Sequence, residues 1–312
     1  MELVSDVMKH LSQSTWLVSG SLIVLSIAVL ACALLPGPRQ LVVRRFVASV
    51  GLAVDERVDH AVDVAQGRRG VGVAIGGVIG TVLATWFVYS VGADRAGPAP
   101  LFLIGAYAVA GSVGRAVASA AGEAKKLGGT DRVAHVRSRI LSDYIPSWER
   151  GAARIMVGSS IVTLSFGLVL QWVATDAAGQ AFSETFSVAA TVTFLAIVAL
   201  IGFEVGARLI LRIRQSQESE LSLAWDDLLR SSAVRDLATA AYLLGSFGFF
   251  FAVQEILMAI NPVNPPFIAS AAGFNLVGTF VVITAALEPL LRRPRQHILR
   301  RRYPDLVTVG AQ

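Results

Sequence analysis

"GAYAVAGSVGRAVASAAG", residues 105–122, is an apolar stretch in which Ala or Gly recurs every fourth residue, at Ala106, Ala110, Gly114, Ala118 and Gly122. Residues four apart share one face of an α-helix, so these five form a ridge almost without side chains. Helices in a bilayer associate largely through close backbone approach at such small residues. We therefore predict a packing surface, either against a neighbouring helix of the same chain or against identical helices around a pore.

Apolar blocks of this length recur along the whole chain. Hydrophobic residues make up 54% of the sequence and charged residues only 16%. About 20 apolar residues are needed to cross the hydrocarbon core of a bilayer. The blocks predict an all-α, polytopic transmembrane bundle with about seven spans, forming one transmembrane domain over residues 1–312.

The distribution of Lys and Arg predicts the orientation of these spans. One set of connections, together with the C-terminal tail, carries 22 of them, whereas the opposite side carries only Lys9 and Arg95. Basic residues concentrate on the cytoplasmic side, so the N-terminus is predicted outside and the C-terminus inside, in the cytoplasmic membrane. The net charge of +5 then indicates anionic lipids of the cytoplasmic leaflet as partners, and no nucleic acid.

The connections also predict a repeated unit. Three helix–linker–helix hairpins cover residues 16–91, 100–174 and 186–260, followed by a last helix at 266–288 and a basic tail at 289–312. The inward helices end alike at an arginine, namely Arg39, Arg115, Arg208 and Arg292. The alternative is that basic inner loops look periodic in any membrane protein.

The linkers have their own helical pattern. In the first linker, apolar residues recur every fourth position, at Phe46, Val50, Val54, Val58 and Val62. This spacing predicts an amphipathic helix that lies in the membrane interface or packs beneath the bundle. In the second linker, Pro146 predicts a break.

Polar residues inside apolar spans are candidates for function. The first is Arg115, which we predict to extend to the cytoplasmic headgroups; the alternative is a wet cavity or a buried carboxylate, with Glu204 as the natural partner. Glu204 precedes Arg208 by one helical turn, so these two can also pair with each other. Glu255 and Asn275 complete the set.

No pattern for covalent chemistry is found in the sequence. The spans contain no lysine, the four histidines lie outside them, and the single cysteine is Cys32. Gly-rich phosphate loops with Lys, CxxC pairs and HExxH are also missing. We therefore expect no enzymatic activity, no cofactor and no metal.

One stretch resembles a known family. Residues 194–250, "FLAIVALIGFEVGARLILRIRQSQESELSLAWDDLLRSSAVRDLATAAYLLGSFGFF", resemble the transmembrane hairpin of the small-conductance mechanosensitive channel superfamily. The similarity lies in the exit of the first helix, at Gly202, Gly206, Arg208, Arg212 and Arg214, and in the linker and re-entry at 226–229 and 234–237. It concerns the transmembrane hairpins only, without the cytoplasmic β-rich domain of that family. The resemblance implies a homo-oligomeric ion channel or channel-like protein that responds to membrane tension or osmotic change.

Two other functions remain open. One is a non-conducting accessory or scaffold protein whose basic linkers bind lipid or a cytoplasmic partner. The other is a secondary transporter, a class in which inverted repeats and Gly-broken spans are common. It is the less favoured of the two, because successive two-span hairpins keep the same orientation.

The predicted orientation gives a direct test. After replacement of Cys32 by Ala, single cysteines at Asp94, Gln180 and Val263 should react with a membrane-impermeant thiol reagent on intact cells. A cysteine at Ser219 should react only after the cells are opened. Labelling of Ser219→Cys in intact cells would reverse the orientation.

Overall fold

The computed structural model describes residues 2–90, 100–124, 140–173, 179–212, 220–260, 297–303 and 306. All regular secondary structure in these ranges is α-helical, as the apolar patterning predicted. The helices are α1 (Glu2–Leu34), α2 (Pro36–Val50), α3 (Glu56–Ser90), α4 (Pro100–Ala124), α5 (Leu141–Tyr144), α6 (Ser147–Val173), α7 (Gly179–Arg212), α8 (Glu220–Ile260) and α9 (His297–Arg302).

Six of these helices are long and apolar enough to cross a membrane. Their spanning parts are Thr15–Leu34, Val58–Tyr89, Phe102–Glu123, Ser147–Leu170, Ala189–Arg212 and Glu220–Gln254. The protein is therefore a multi-pass membrane protein built as a helical bundle. The predicted seventh span, at 266–288, lies outside the described residues, as does most of the tail at 289–312.

The spans pack as two groups of three. In the first group α3 lies between α1 and α4; in the second α8 contacts both α6 and α7. The two groups meet mainly along α4 and α8. The two spans of the second predicted hairpin, α4 and α6, thus lie in different groups, and helix packing does not follow the hairpin order of the sequence.

Aromatic side chains fill the contact between the two groups toward the predicted outer end. Phe102 of α4 stacks on Phe247 of α8 with ring centroids 5.7 Å apart. Phe251 lies edge-on to both rings, at 5.6 Å and 5.0 Å. Leu103, next to Phe102, is completely buried. Edge-to-face and offset aromatic pairs of this kind add to the stability that burial alone provides.

The faces turned away from these contacts are apolar and exposed. Trp172 of α6 is 79% exposed, and Val162 and Phe194 are exposed as well. Such continuous apolar surface on helices of spanning length is the surface that a bilayer covers.

A second core lies at the other end of the bundle, the predicted cytoplasmic end. We call it the linker layer; it consists of α2, α5, α9 and the beginnings of α3 and α8. Buried apolar side chains from all five segments meet there, among them Phe46, Val62, Tyr144, Trp225 and Leu299. Trp225 also donates a hydrogen bond from its indole to the carbonyl oxygen of Ala53, at 2.8 Å.

The first linker differs in one respect from the single amphipathic helix that its spacing predicted. The helix ends at Val50, and the next residue, Gly51, has a left-handed φ of 75° and donates its N–H to the carbonyl oxygen of Val47. Glycine adopts this conformation without steric penalty. After the break Val54 is exposed, whereas Val50 and Val58 remain buried. Of the two predicted locations for the stripe, packing beneath the bundle is the observed one. The break at Pro146 is confirmed, since α5 ends at Tyr144 and α6 begins at Ser147.

Candidate functional site: a buried charge cluster beneath a glycine interface

The small-residue ridge of α4 faces α3 of the same chain. A Cβ atom added to Gly72 would lie 2.8 Å from the Cβ atom of Ala118, and one added to Gly80 would lie 2.5 Å from that of Ala110. A Cβ atom on Gly114 would overlap the carbonyl oxygen of Gly72. The two backbones therefore touch along most of the span, a contact that larger residues would prevent.

Both ends of the ridge meet α3 as well. A Cβ atom on Gly80 would come 2.7 Å from the carbonyl oxygen of Ala106, and one on Gly122 would lie 3.1 Å from Nη1 of Arg68. All five ridge residues thus lie against one helix of their own chain. This arrangement corresponds to the first of the two predicted packing modes, in which the ridge contacts a neighbouring helix of the same chain.

A buried carboxylate lies just below this interface, where α3, α4 and α8 meet. Asp236 is 2% exposed. Its Oδ2 atom lies 3.3 Å from Nε of Arg69, and its Oδ1 atom lies 3.2 Å from Nε of Arg115. Ser119 donates a hydrogen bond to Oδ2 at 2.9 Å and accepts one from Arg69 at 3.1 Å. Three spanning helices therefore share a single carboxylate.

Further ion pairs surround this carboxylate. Arg230 lies 2.8 Å from Asp226 and 4.0 Å from Glu123, and Arg235 lies 2.5 Å from Glu149. We call the whole set the inner charge cluster: Arg69, Arg115, Glu123, Glu149, Asp226, Arg230, Arg235 and Asp236. It contains four arginines and four carboxylates, so its charges balance. Buried charges are tolerated in membrane proteins when they pair in this way, and such groups are by default candidates for function.

The structure places Arg115 differently from the predicted snorkelling position. Its guanidinium turns inward to Asp236. The interpretation as a buried ion pair is therefore the one that applies, but with Asp236 in place of Glu204. The prediction that Arg115 extends to the headgroups was wrong because it did not include a carboxylate at the same depth in the bundle.

Glu204 also has a different partner from the predicted one. It accepts hydrogen bonds from Nε of Arg154 at 2.8 Å and from Nη2 at 2.5 Å. The predicted pairing with Arg208 is therefore wrong, and Arg208 is exposed. Helix α6 runs beside α7 and presents Arg154 at the required height, which the sequence of α7 alone does not reveal. The side chain of Glu255 and the whole of Asn275 lie outside the described residues.

A second polar cluster joins α9 and the residue after it to α5 and α8 within the linker layer. Tyr144 and Tyr303 donate hydrogen bonds to the two carboxylate oxygens of Asp227, at 2.7 Å and 2.9 Å. Arg302 lies 3.4 Å from Asp227 and from Asp143. Burial opposes the charge of Arg302, but Tyr144 and these carboxylates outweigh it and raise the pKa of Arg302 above its ordinary value. Arg302 is therefore charged throughout the physiological range.

Comparison with protein-family models, with curated proteins and with solved structures finds no match to this chain. What the site can do chemically is therefore inferred from its own side chains. In the part of the chain that the structure describes, no group of three or more His, Cys, Asp and Glu side chains could hold a metal ion. The inner charge cluster consists of paired ions, which can hold helices together or separate when water enters.

Sequence reasoning missed Asp236 and Arg69 as intramembrane residues. The apolar runs of these two spans begin at Gly70 and Leu237, immediately after the charges, whereas α3 and α8 continue through them. One signal was available. The segment around Asp236 is helix-forming, with no Gly or Pro between Glu220 and Leu244.

Proposed function

We propose that this protein is a channel-like protein of the cytoplasmic membrane that responds to membrane tension and acts as a homo-oligomer. The observation that carries the proposal is the shared carboxylate. Asp236 belongs to the second group of helices, whereas Arg69 and Arg115 belong to the first. The inner charge cluster therefore holds the two groups together at the end of their interface opposite to the aromatic contacts of Phe102, Phe247 and Phe251.

Membrane tension acts on the inner charge cluster because tension changes the in-plane area that the protein occupies. Stretching a bilayer favours states of larger in-plane area, which the protein reaches by separating its two helix groups. Separation exposes Asp236 and both arginines to water, where each ion is well hydrated without its partner. The closed state is thus dry and paired, and the expanded state is wet and unpaired. A protein that has these two states can act as a switch, because tension changes their relative populations. The resemblance of residues 194–250 to mechanosensitive channels supports the same assignment.

A secondary transporter is the second candidate, and one observation favours it. Each helix group contains three consecutive spans, so the second group begins on the opposite side of the membrane from the first. Halves of opposite orientation with a cavity between them are typical of secondary transporters. The shared carboxylate would then change partners as the halves rock.

Suction on liposome patches tests the proposal. The purified protein should give stepwise currents that appear only under suction. Ser119→Ala removes one hydrogen bond to Asp236 and should lower the suction required, because the paired state loses part of its stability. Ser21→Ala is the matched control, since Ser21 is exposed and donates its hydroxyl hydrogen bond to the carbonyl oxygen of Leu17 in its own helix. Silent patches would overturn the channel assignment in favour of a scaffold, and substrate uptake in the absence of suction would favour the transporter.

A further inference from the structure

A wide apolar groove opens between the two helix groups on one side of the bundle. Its volume is about 1450 Å³. Its walls include Ile75 and Ile79 of α3, Val117 of α4 and Leu195 of α7. All four side chains are about half exposed, although they face one another across the groove. The volume exceeds the roughly 300–1,000 Å³ of a pocket for a drug-sized ligand, so the groove has room for a molecule with long apolar chains.

The groove runs along the length of α3. On α3 its lining extends from Val64 to Phe87 and includes Arg68 at the basic end and Trp86 near the other end. The eighteen residues of helix from Arg68 to Trp86 correspond to about 27 Å, close to the thickness of the hydrocarbon core. Because an empty groove would forfeit dispersion contacts along both walls, the surrounding acyl chains should enter it.

The basic end of the groove differs chemically from its walls. Arg39 and Arg68 both line it there. Arg68 is exposed on α3, and its Nη1 atom reaches over Gly122 of α4. Arg39 pairs with Asp63 at 2.5 Å, yet its Nε atom is buried without a hydrogen-bond partner among the described residues. Two guanidiniums against one carboxylate leave a positive charge at the mouth of an apolar groove.

We propose that this groove binds an anionic phospholipid of the inner leaflet, with its phosphate at Arg39 and Arg68 and its acyl chains against α3, α4 and α7. Basic pockets between transmembrane helices on the cytoplasmic side are sites of this chemistry. The charge at the mouth selects an anionic headgroup over a zwitterionic one. The apolar walls select a lipid over a soluble phosphate. The proposal does not depend on conduction, because binding is measured on protein in detergent.

Native mass spectrometry with added lipids tests the headgroup contact. Wild-type protein should retain phosphatidylglycerol in preference to phosphatidylcholine with identical chains. Arg68→Gln should weaken phosphatidylglycerol binding about fivefold, the effect expected for one basic residue at the membrane surface. Arg208→Gln removes an exposed arginine of α7 that does not line the groove, and it should leave binding unchanged. Equal losses in the two variants, or no loss in either, would overturn the site.

A second pair of variants tests the acyl chains. Val117→Trp places a large ring in the groove from an exposed position, so folding should be intact and bound lipid should decrease. Val162→Trp makes the same change on the exposed face of α6, outside the groove, and should have no effect. If Val117→Trp instead separates a dimer and leaves the bound lipid unchanged, the occupant is a second copy of this chain and the proposal is wrong. Short-chain soluble phosphates that compete with phosphatidylglycerol would likewise exclude a lipid site.

Discussion

Asp236→Asn should destabilise the folded protein by about 3–5 kcal/mol, the range for removing one member of a buried ion pair. The carboxylate is 2% exposed, and the variant leaves the buried Arg69 and the partly buried Arg115 without their shared counter-ion. Asparagine has nearly the same shape, so the loss reports charge and not packing. The measurement is the free energy or midpoint of unfolding in detergent.

The control for this variant is Glu204→Gln, which also removes one carboxylate from an arginine pair. Its partner Arg154 is 55% exposed. Exposed pairs contribute only about 0–1 kcal/mol, so this variant should be almost silent. Combining Asp236→Asn with Arg115→Gln should restore part of the lost stability, because one uncompensated charge is removed. Equal effects of Asp236→Asn and Glu204→Gln would show that the inner charge cluster is hydrated.

Gly114→Leu is expected to have the second largest effect. Even a single Cβ atom at this position would overlap the carbonyl oxygen of Gly72, so a leucine side chain must force α3 and α4 apart. Overpacking typically costs about 1–3 kcal/mol, and here backbone must move on both sides. Thermal unfolding should shift downward while the oligomeric mass in detergent stays the same, since the partner helix belongs to the same chain.

Gly158→Leu is the matched control for the glycine interface. A Cβ atom on Gly158 of α6 would meet nothing within 4 Å. The leucine should therefore be accommodated in lipid or detergent, and leucine also has the higher helix propensity. A change in oligomeric mass on Gly114→Leu would show instead that the ridge contacts another subunit.

The glycine interface shows what the sequence can predict. The ridge on α4 follows from spacing alone, and Gly72, Gly76 and Gly80 repeat the same spacing on α3. Two small-residue faces on neighbouring spans favour packing of these spans against each other over packing between identical helices. The all-helical fold and six of the spans follow in the same way from apolar blocks of sufficient length.

The charge cluster shows where such prediction stops. Ser119 and Asp236 are 117 residues apart, and no local pattern connects them. A hydropathy scale assigns the same unfavourable value to a paired charge as to an unpaired one. The predicted span therefore stops at the charge, although the helix continues through it. The apolar stripe of the first linker was recognisable, but the left-handed turn at Gly51 that divides it depends on the fold.

The shared carboxylate also constrains the order in which the protein is built. A chain made from its N-terminus inserts Arg69 and Arg115 long before the ribosome reaches Asp236. The glycine contact between α3 and α4 is formed from these early spans and needs nothing that follows. Their two arginines, however, have no shared counter-ion until α8 enters the membrane. A nascent chain that stops short of α8 is thus a half-assembled bundle that lacks the carboxylate shared by these two arginines, a state that membrane quality control can recognise and remove.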